Sequence, residues 1–122
     1  MKLFLLLGAI NGFLTVALGA FGAHGLEGKV SEKMLNIWEK AVQYQMFHTI
    51  GLFIVAFLVD RFSSTTISGA GWFFLVGIVL FSGSLYIYTV TNVKVLAMIT
   101  PIGGVAFLIG WVMLFVAILK SL

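Results

Sequence analysis

Four long stretches of this chain carry no charged side chain, and they constrain its fold more than any other feature. They cover residues 3–26, 41–59, 62–93 and 95–119. A helix needs about 20 residues to cross the ~30 Å hydrocarbon core of a bilayer. Backbone polar groups in lipid must be hydrogen-bonded within the protein, which favours helices over irregular structure. The sequence therefore predicts an all-α integral membrane protein with four transmembrane helices.

The composition excludes several classes of protein. Of the 122 residues, 61% are hydrophobic and 9% are charged, so the spans take up most of the chain and leave no separate soluble domain. The net charge of +3 is small and scattered, which indicates no nucleic-acid partner. Cysteine is absent, so disulfide and thiolate chemistry are excluded. With only two histidines and few carboxylates, we expect no metal site and no cofactor.

The helices are predicted to form one domain over residues 1–122, with approximate spans at 3–23, 41–59, 69–91 and 95–119. The first apolar run is longer than the ~7–15 residues of a secretory signal core, so we expect a membrane helix there and no cleaved leader. Short polar connections make successive helices antiparallel neighbours in a bundle.

The second helix is predicted to be longer than its span. Charges alternate over residues 27–40, while apolar residues from Met34 onward recur at helical spacing. We therefore expect this helix to begin near Glu32 as an amphipathic interfacial segment, with Ser31 as its N-cap. In the fourth helix, Pro101 predicts either a kink or the first turn of a new helix.

A stripe of small residues follows one face of the first helix: Gly8, Gly12, Thr15, Gly19 and Gly22. At 100° per residue these positions fall within an arc of about 80°. Helices in lipid associate through small residues that let their backbones approach closely. The stripe predicts a close helix contact, either within the chain or between subunits, and the neighbouring Asn11 needs a hydrogen-bond partner across it.

In the antiparallel topology, most intramembrane polar residues fall in the half of the membrane opposite the termini. We predict a polar pocket there, formed by His24, Gln45, His48, Ser82, Ser84, Tyr86 and Thr100. Polar groups at that depth are costly to leave unpaired, and an intramembrane ionisable residue is a functional candidate. His24 is expected at the mouth of the pocket. The alternative is that these groups only bridge helices.

Four blocks of sequence resemble one protein family: GAFGAHGL at residues 19–26, AVQYQMFH at 41–48, FSGSLY at 81–86, and ITPIGG at 99–104 followed by Gly110-Trp111. The chain resembles the YwdK/YgdD family of small bacterial membrane proteins, a domain-of-unknown-function family with distant relatives in animal mitochondria. The resemblance covers essentially the whole chain. It implies a four-helix multi-pass protein of the bacterial plasma membrane, and it implies no activity.

Two functional hypotheses remain open. The first is a small oligomeric binding or permeation module for a small solute, ion or lipid, using the polar pocket. The alternative is a structural or assembly protein that contacts partner membrane proteins through the glycine stripe. An intramembrane enzyme with Ser82 or Ser84 as nucleophile and His48 as base is less favoured, because no third orienting acid is evident.

The expected partners are membrane lipid, a second copy of the chain and another membrane protein. The orientation depends on a nearly even division of basic residues. One side would carry Lys2, Arg61, Lys120 and the N-terminal amine, and the other Lys29, Lys33, Lys40 and Lys94. We expect the termini in the cytoplasm.

Overall fold

The computed structural model describes residues 1–121 and contains four helices that are long and apolar enough to cross a membrane. They are α1 (Lys2–His24), α2 (Glu32–Phe62), α3 (Thr65–Thr91) and α4 (Leu96–Ser121). The predicted all-α four-helix architecture is confirmed. α2 is unbroken over 31 residues. At 1.5 Å per residue it is ~46 Å long and exceeds the hydrocarbon core, as expected for a helix with an interfacial extension.

Side-chain caps and left-handed residues fix the ends of the helices. The Ser31 hydroxyl accepts the Met34 N–H at 3.2 Å and caps α2. The Ser64 hydroxyl accepts the Ile67 N–H at 3.3 Å, so α3 begins at Thr65, four residues before the predicted start. Ser63 (φ 48°) and Asn92 (φ 60°) end α2 and α3 in the left-handed conformation. These short connections make successive helices antiparallel.

The glycine stripe of α1 faces α2 of the same chain. A Cβ atom at Gly8 would meet the Phe53 ring at 2.9 Å, and one at Gly19 would meet Val42 at 3.4 Å. Gly22 lies directly against the indole of Trp38, which is 5% exposed. The Trp38 ring packs inside the bundle because Gly22 leaves room for it.

α3 contains a π-helical turn that was not predicted. Its first part is α-helical to Gly77, residues Ile78–Ser82 form the π turn, and the α-helix resumes at Gly83. At this turn α4 approaches backbone to backbone, since a Cβ atom at Gly103 would overlap the main chain of Leu80 and Phe81. The absence of a side chain at Gly103 therefore sets the distance between α3 and α4.

Pro101 lies inside α4 and does not break it. The helix runs from Leu96 to Ser121, and Pro101 is its sixth residue. In the turn before it, each N–H donates to the carbonyl three residues earlier. The Ala97 N–H donates to Lys94 at 3.1 Å, and the Met98 N–H donates to Val95 at 3.0 Å. Of the two predicted alternatives, the start of a new helix at Pro101 is wrong.

The apolar core occupies the half of the bundle that contains the termini. Its fully buried side chains include Leu52, Val55, Ile67 and Phe74, which come from the last turns of α2 and the first turns of α3. The buried polar side chains come from the middle of α1 and α2 and from the later turns of α3. The fold therefore divides into an apolar half and a part with polar contacts, and the candidate site lies in the second.

Candidate functional site

Three polar side chains connect three helices in the middle of the bundle. The Gln45 Nε2 group on α2 donates to Asn11 Oδ1 on α1 at 3.1 Å. The Tyr86 hydroxyl on α3 donates to Gln45 Oε1 at 2.7 Å. Gln45 is 3% exposed and Asn11 6%. We call these three residues the amide network; it links α1, α2 and α3 through one glutamine side chain.

The amide network lies near the middle of α1 along the helix axis. Asn11 is thirteen residues, ~20 Å, from the end of α1 at His24, and nine residues, ~14 Å, from its start at Lys2. Its partner Gln45 therefore lies level with the middle of α1.

The amide network retains hydrogen-bonding capacity. Each side-chain amide has two N–H donors. Asn11 uses one on the Leu7 carbonyl at 2.9 Å, and Gln45 uses one on Asn11. Within residues 1–121, each amide thus has one further N–H, and the Tyr86 oxygen has lone pairs that accept no bond. The network therefore has two donors and one acceptor left beyond its internal bonds.

A groove of about 430 Å³ runs over the amide network between α1 and α3. Asn11, Gln45 and Tyr86 contribute to its lining, as does Ser84. The remaining lining is apolar and includes Leu14 on α1 and Ile87 on α3. No charged side chain is among the described residues that line it. We call this groove the amide groove. Its walls are mostly apolar, and its polar lining is the amide network with Ser84.

Two serines of α3 make hydrogen bonds to neighbouring helices. The Ser82 hydroxyl donates to the Ala41 carbonyl of α2 at 2.8 Å. The Ser84 hydroxyl donates to the Phe81 carbonyl at 2.9 Å, in the π turn. The Ser84 and Thr100 hydroxyl oxygens are 2.6 Å apart, and this hydrogen bond joins α3 to α4. Each of these polar groups therefore has a partner inside the bundle.

His48 lies in a separate arrangement between α2 and α4. Its Nδ1 is 2.7 Å from the Tyr44 carbonyl, and its Nε2 accepts the Trp111 Nε1–H at 2.9 Å. Both bonds form together only in the neutral tautomer that carries its proton on Nδ1. The ring stacks on Phe107 with centroids 3.5 Å apart. These residues line a second groove, of about 480 Å³, which opens between α2 and α4.

The structure thus divides the predicted pocket instead of forming one site. Gln45, Tyr86 and Ser84 line the amide groove. Thr100 does not line it but is hydrogen-bonded to Ser84. Ser82 is hydrogen-bonded to the main chain of α2. His48 lies on the other groove and bonds to α4, not to α3. His24 is the exposed last residue of α1 and is not brought to either groove. Neither histidine therefore lines the amide groove, and a single functional site made of all seven residues stays a prediction.

Ser82 and Ser84 have hydrogen-bond partners other than His48. Neither Ser82 nor Ser84 is hydrogen-bonded to His48, so the serine–histidine pair considered from the sequence is not formed. Within residues 1–121, no group of three His, Asp or Glu side chains could hold a metal ion. Sequence reasoning gave Asn11 no place in the pocket and missed Trp111, because an apolar tryptophan at a helix centre carries no local signal of a histidine partner.

Comparison with known proteins identifies relatives over the full length of the chain. The family model described as "Protein of unknown function (DUF423)" matches residues 18–104. The UPF0382 membrane protein YwdK of Bacillus subtilis is 58% identical and covers 100% of both chains. The UPF0382 membrane protein SERP0230 of Staphylococcus epidermidis is 53% identical over 98% of each chain. No solved structure matches the chain.

Proposed function

The chain belongs to the DUF423 family of membrane proteins of unknown function, and we propose that it binds a neutral amphiphilic molecule of the bilayer in the amide groove. One observation carries the proposal. Two amide N–H donors and a phenol oxygen with free capacity lie at one place in an otherwise apolar groove. Ligand sites commonly combine apolar walls with a few polar groups, in volumes of roughly 300–1,000 Å³.

The chemistry of the groove restricts the class of ligand. No charged group lines it, so an ion or a charged solute would have to lose its hydration without compensation. An ester or ketone oxygen would accept from the free N–H of Asn11 or Gln45, and a hydroxyl would donate to Tyr86. The groove opens between two lipid-facing helices, so such a molecule would enter sideways. A neutral lipid with carbonyl or hydroxyl groups fits these conditions.

Binding is better supported than permeation or assembly. Every buried side-chain N and O atom of residues 1–121 has a hydrogen-bond partner within the protein, which favours contacts between helices over a water-filled path. The glycine stripe, which motivated the assembly hypothesis, is covered by α2 of the same chain. Association with a second copy or with another membrane protein stays a prediction.

Blocking the amide groove is expected to remove labelling by a neutral lipid probe. Ile87 is 50% exposed, lines the groove and makes no side-chain hydrogen bond, so Ile87→Trp is expected to fill the groove and to preserve the amide network. In vesicles containing a photoactivatable diacylglycerol, we expect wild type to be labelled on α1 and α3, and Ile87→Trp to be labelled about fivefold less. Peptide mapping by mass spectrometry measures this.

The control for that experiment is Ile102→Trp, which adds the same ring to a 59% exposed position on the outer face of α4. It should leave labelling unchanged. Labelling spread evenly over all lipid-facing residues, or equal loss in both variants, would show that the groove does not bind the probe.

We also propose that the protein resides in the bacterial plasma membrane with both termini in the cytoplasm. The chain has no cysteine, so single cysteines at Ser121 and at Gly28 report the two sides without background. In intact cells, a membrane-impermeant maleimide should label Gly28→Cys and not Ser121→Cys. The opposite pattern would reverse the orientation, and labelling of both would contradict the antiparallel placement of these ends.

A further inference from the structure

Tyr86 is the member of the amide network that is not buried, and it lines the amide groove. Asn11 and Gln45 are 6% and 3% exposed, so a molecule in the groove meets them over very little surface. The Tyr86 ring packs against Trp38 with ring centroids 4.6 Å apart, which holds the phenol in place. The hydrogen-bonding character of the Tyr86 oxygen is therefore the main polar property that the groove presents to a ligand.

The direction of each hydrogen bond in the amide network is fixed from one end. The Leu7 carbonyl can only accept, so the Asn11 group bonded to it is the side-chain NH₂, and Asn11 Oδ1 faces Gln45. That oxygen can also only accept, so Gln45 turns its NH₂ group to Asn11 and its Oε1 atom to Tyr86. The single hydroxyl proton of Tyr86 is therefore used on Gln45, and the Tyr86 oxygen can only accept a bond from a ligand.

The π turn of α3 forms the wall of the groove that carries Tyr86. Four residues at this turn line the groove together with Tyr86: Ile78, Val79, Leu80 and Gly83. The Gly83 N–H donates to the carbonyl five residues back, at Ile78, and this widened turn sets the rotation of the helix that follows. Such turns are rare and frequently occur at functional sites. The placement of Tyr86 in the groove thus depends on an uncommon backbone feature that is independent of the hydrogen bonds.

From these observations we infer that Tyr86 is a specificity-determining residue, and that it selects lipids with a free hydroxyl group; the inference rests on the proposed function. A ligand hydroxyl donates its proton to the Tyr86 oxygen, whereas an ether or ester oxygen brings no donor and would face the lone pairs of that oxygen. The new bond also polarises the chain from Tyr86 through Gln45 to Asn11 in the direction that it already has, which strengthens each bond. Diacylglycerols and long-chain alcohols belong to this class, and triacylglycerols do not.

The test is competition for the photoactivatable diacylglycerol in vesicles by unlabelled dioleoylglycerol, its methyl ether and its acetate ester, which differ only at one oxygen. For wild type, we expect the alcohol to displace the probe at a mole fraction about fivefold lower than the ether or the acetate requires. Tyr86→Phe should remove this difference by weakening the alcohol alone, since Gln45 Oε1 lies 2.7 Å behind the lost oxygen on a buried residue. The control Tyr88→Phe should keep the difference. It deletes a hydroxyl of the same helix that lines neither large groove and makes no hydrogen bond within residues 1–121.

Equal displacement of the probe by the three competitors in wild type would overturn the inference, and this arm needs no substitution. A preference for the alcohol that survives in Tyr86→Phe, or that is lost equally in Tyr88→Phe, would also contradict it. Failure of the proposed function gives a different result, because labelling would then be insensitive to Ile87→Trp and no competitor would displace the probe. Labelling that Ile87→Trp removes, but that ether and alcohol displace equally, would retain the site and reject the selection of a hydroxyl group.

Discussion

Alanine at position 103 is expected to destabilise the protein, whereas alanine at the neighbouring position 104 is expected to be neutral or stabilising. A Cβ atom at Gly103 would overlap backbone atoms of Leu80 and Phe81, which cannot move aside as a flexible side chain would. A Cβ atom at Gly104 would meet nothing closer than Phe81 Cδ2 at 3.9 Å. The two substitutions are chemically identical, so their difference isolates the contact between α3 and α4.

Overpacking of a close contact costs typically ~1–3 kcal/mol, and we expect Gly103→Ala at the upper end of this range because two helices must separate. Alanine is a better helix former than glycine by ~1 kcal/mol, which is the most that Gly104→Ala should gain. Thermal unfolding in mild detergent, followed by circular dichroism, measures both. Equal transitions for the two variants would mean that α4 does not approach the π turn as closely as described.

Replacing Gln45 by leucine is expected to give the second large effect, because it removes two interhelical bonds and leaves two partners unsatisfied. Asn11 Oδ1 loses its donor and the Tyr86 hydroxyl loses its acceptor. A single interhelical bond in a membrane protein contributes ~0.6 kcal/mol on average. A buried group left without a partner adds to this, so we expect a loss of about 2 kcal/mol.

Three further variants test which hydrogen bonds cause this loss of stability. Gln43→Leu makes the same change on α2 at an exposed side chain with no hydrogen bond in the described structure, and it should leave stability unchanged. Tyr86→Phe should cost about 1 kcal/mol, because it removes one bond and leaves only Gln45 Oε1 without a partner. Asn11→Leu combined with Gln45→Leu should cost less than the sum of the two, since the stranded oxygen is then absent. Additive effects would indicate that Asn11 and Gln45 do not pair.

The spans, their antiparallel order and the long second helix could be predicted because charge and periodicity are local properties of a sequence. The hydrogen-bond partner of each polar group could not be predicted. Asn11 and Gln45 are 34 residues apart, and His48 and Trp111 are 63 residues apart. Which of several inward-facing groups meet depends on the depth and rotation of each helix. Gln45 bonds to α3 through Tyr86, whereas His48, one turn further along α2, bonds to α4 through Trp111.

The π turn explains part of this limit. A helical wheel assumes a constant 100° per residue, and the widened turn at Ile78–Ser82 changes the rotation of every residue that follows. Tyr86 and Thr89 therefore cannot be assigned to a face by extending the pattern from the start of α3. Within the sequence, the Ser82-Gly83-Ser84 run is permissive for such a turn, but many regular helices contain similar runs.

The pairing of Asn11 with Gln45 also bears on how the chain is made. Synthesis proceeds from the N-terminus, so α1 is complete before the residues of α2 exist. During that interval Asn11 can satisfy its amide nitrogen on the Leu7 carbonyl of its own helix, but its Oδ1 atom has no donor until Gln45 arrives. An unpaired amide oxygen in hydrocarbon is unfavourable. α1 and α2 are therefore expected to leave the insertion machinery together as a hairpin, with α3 and α4 joining afterwards.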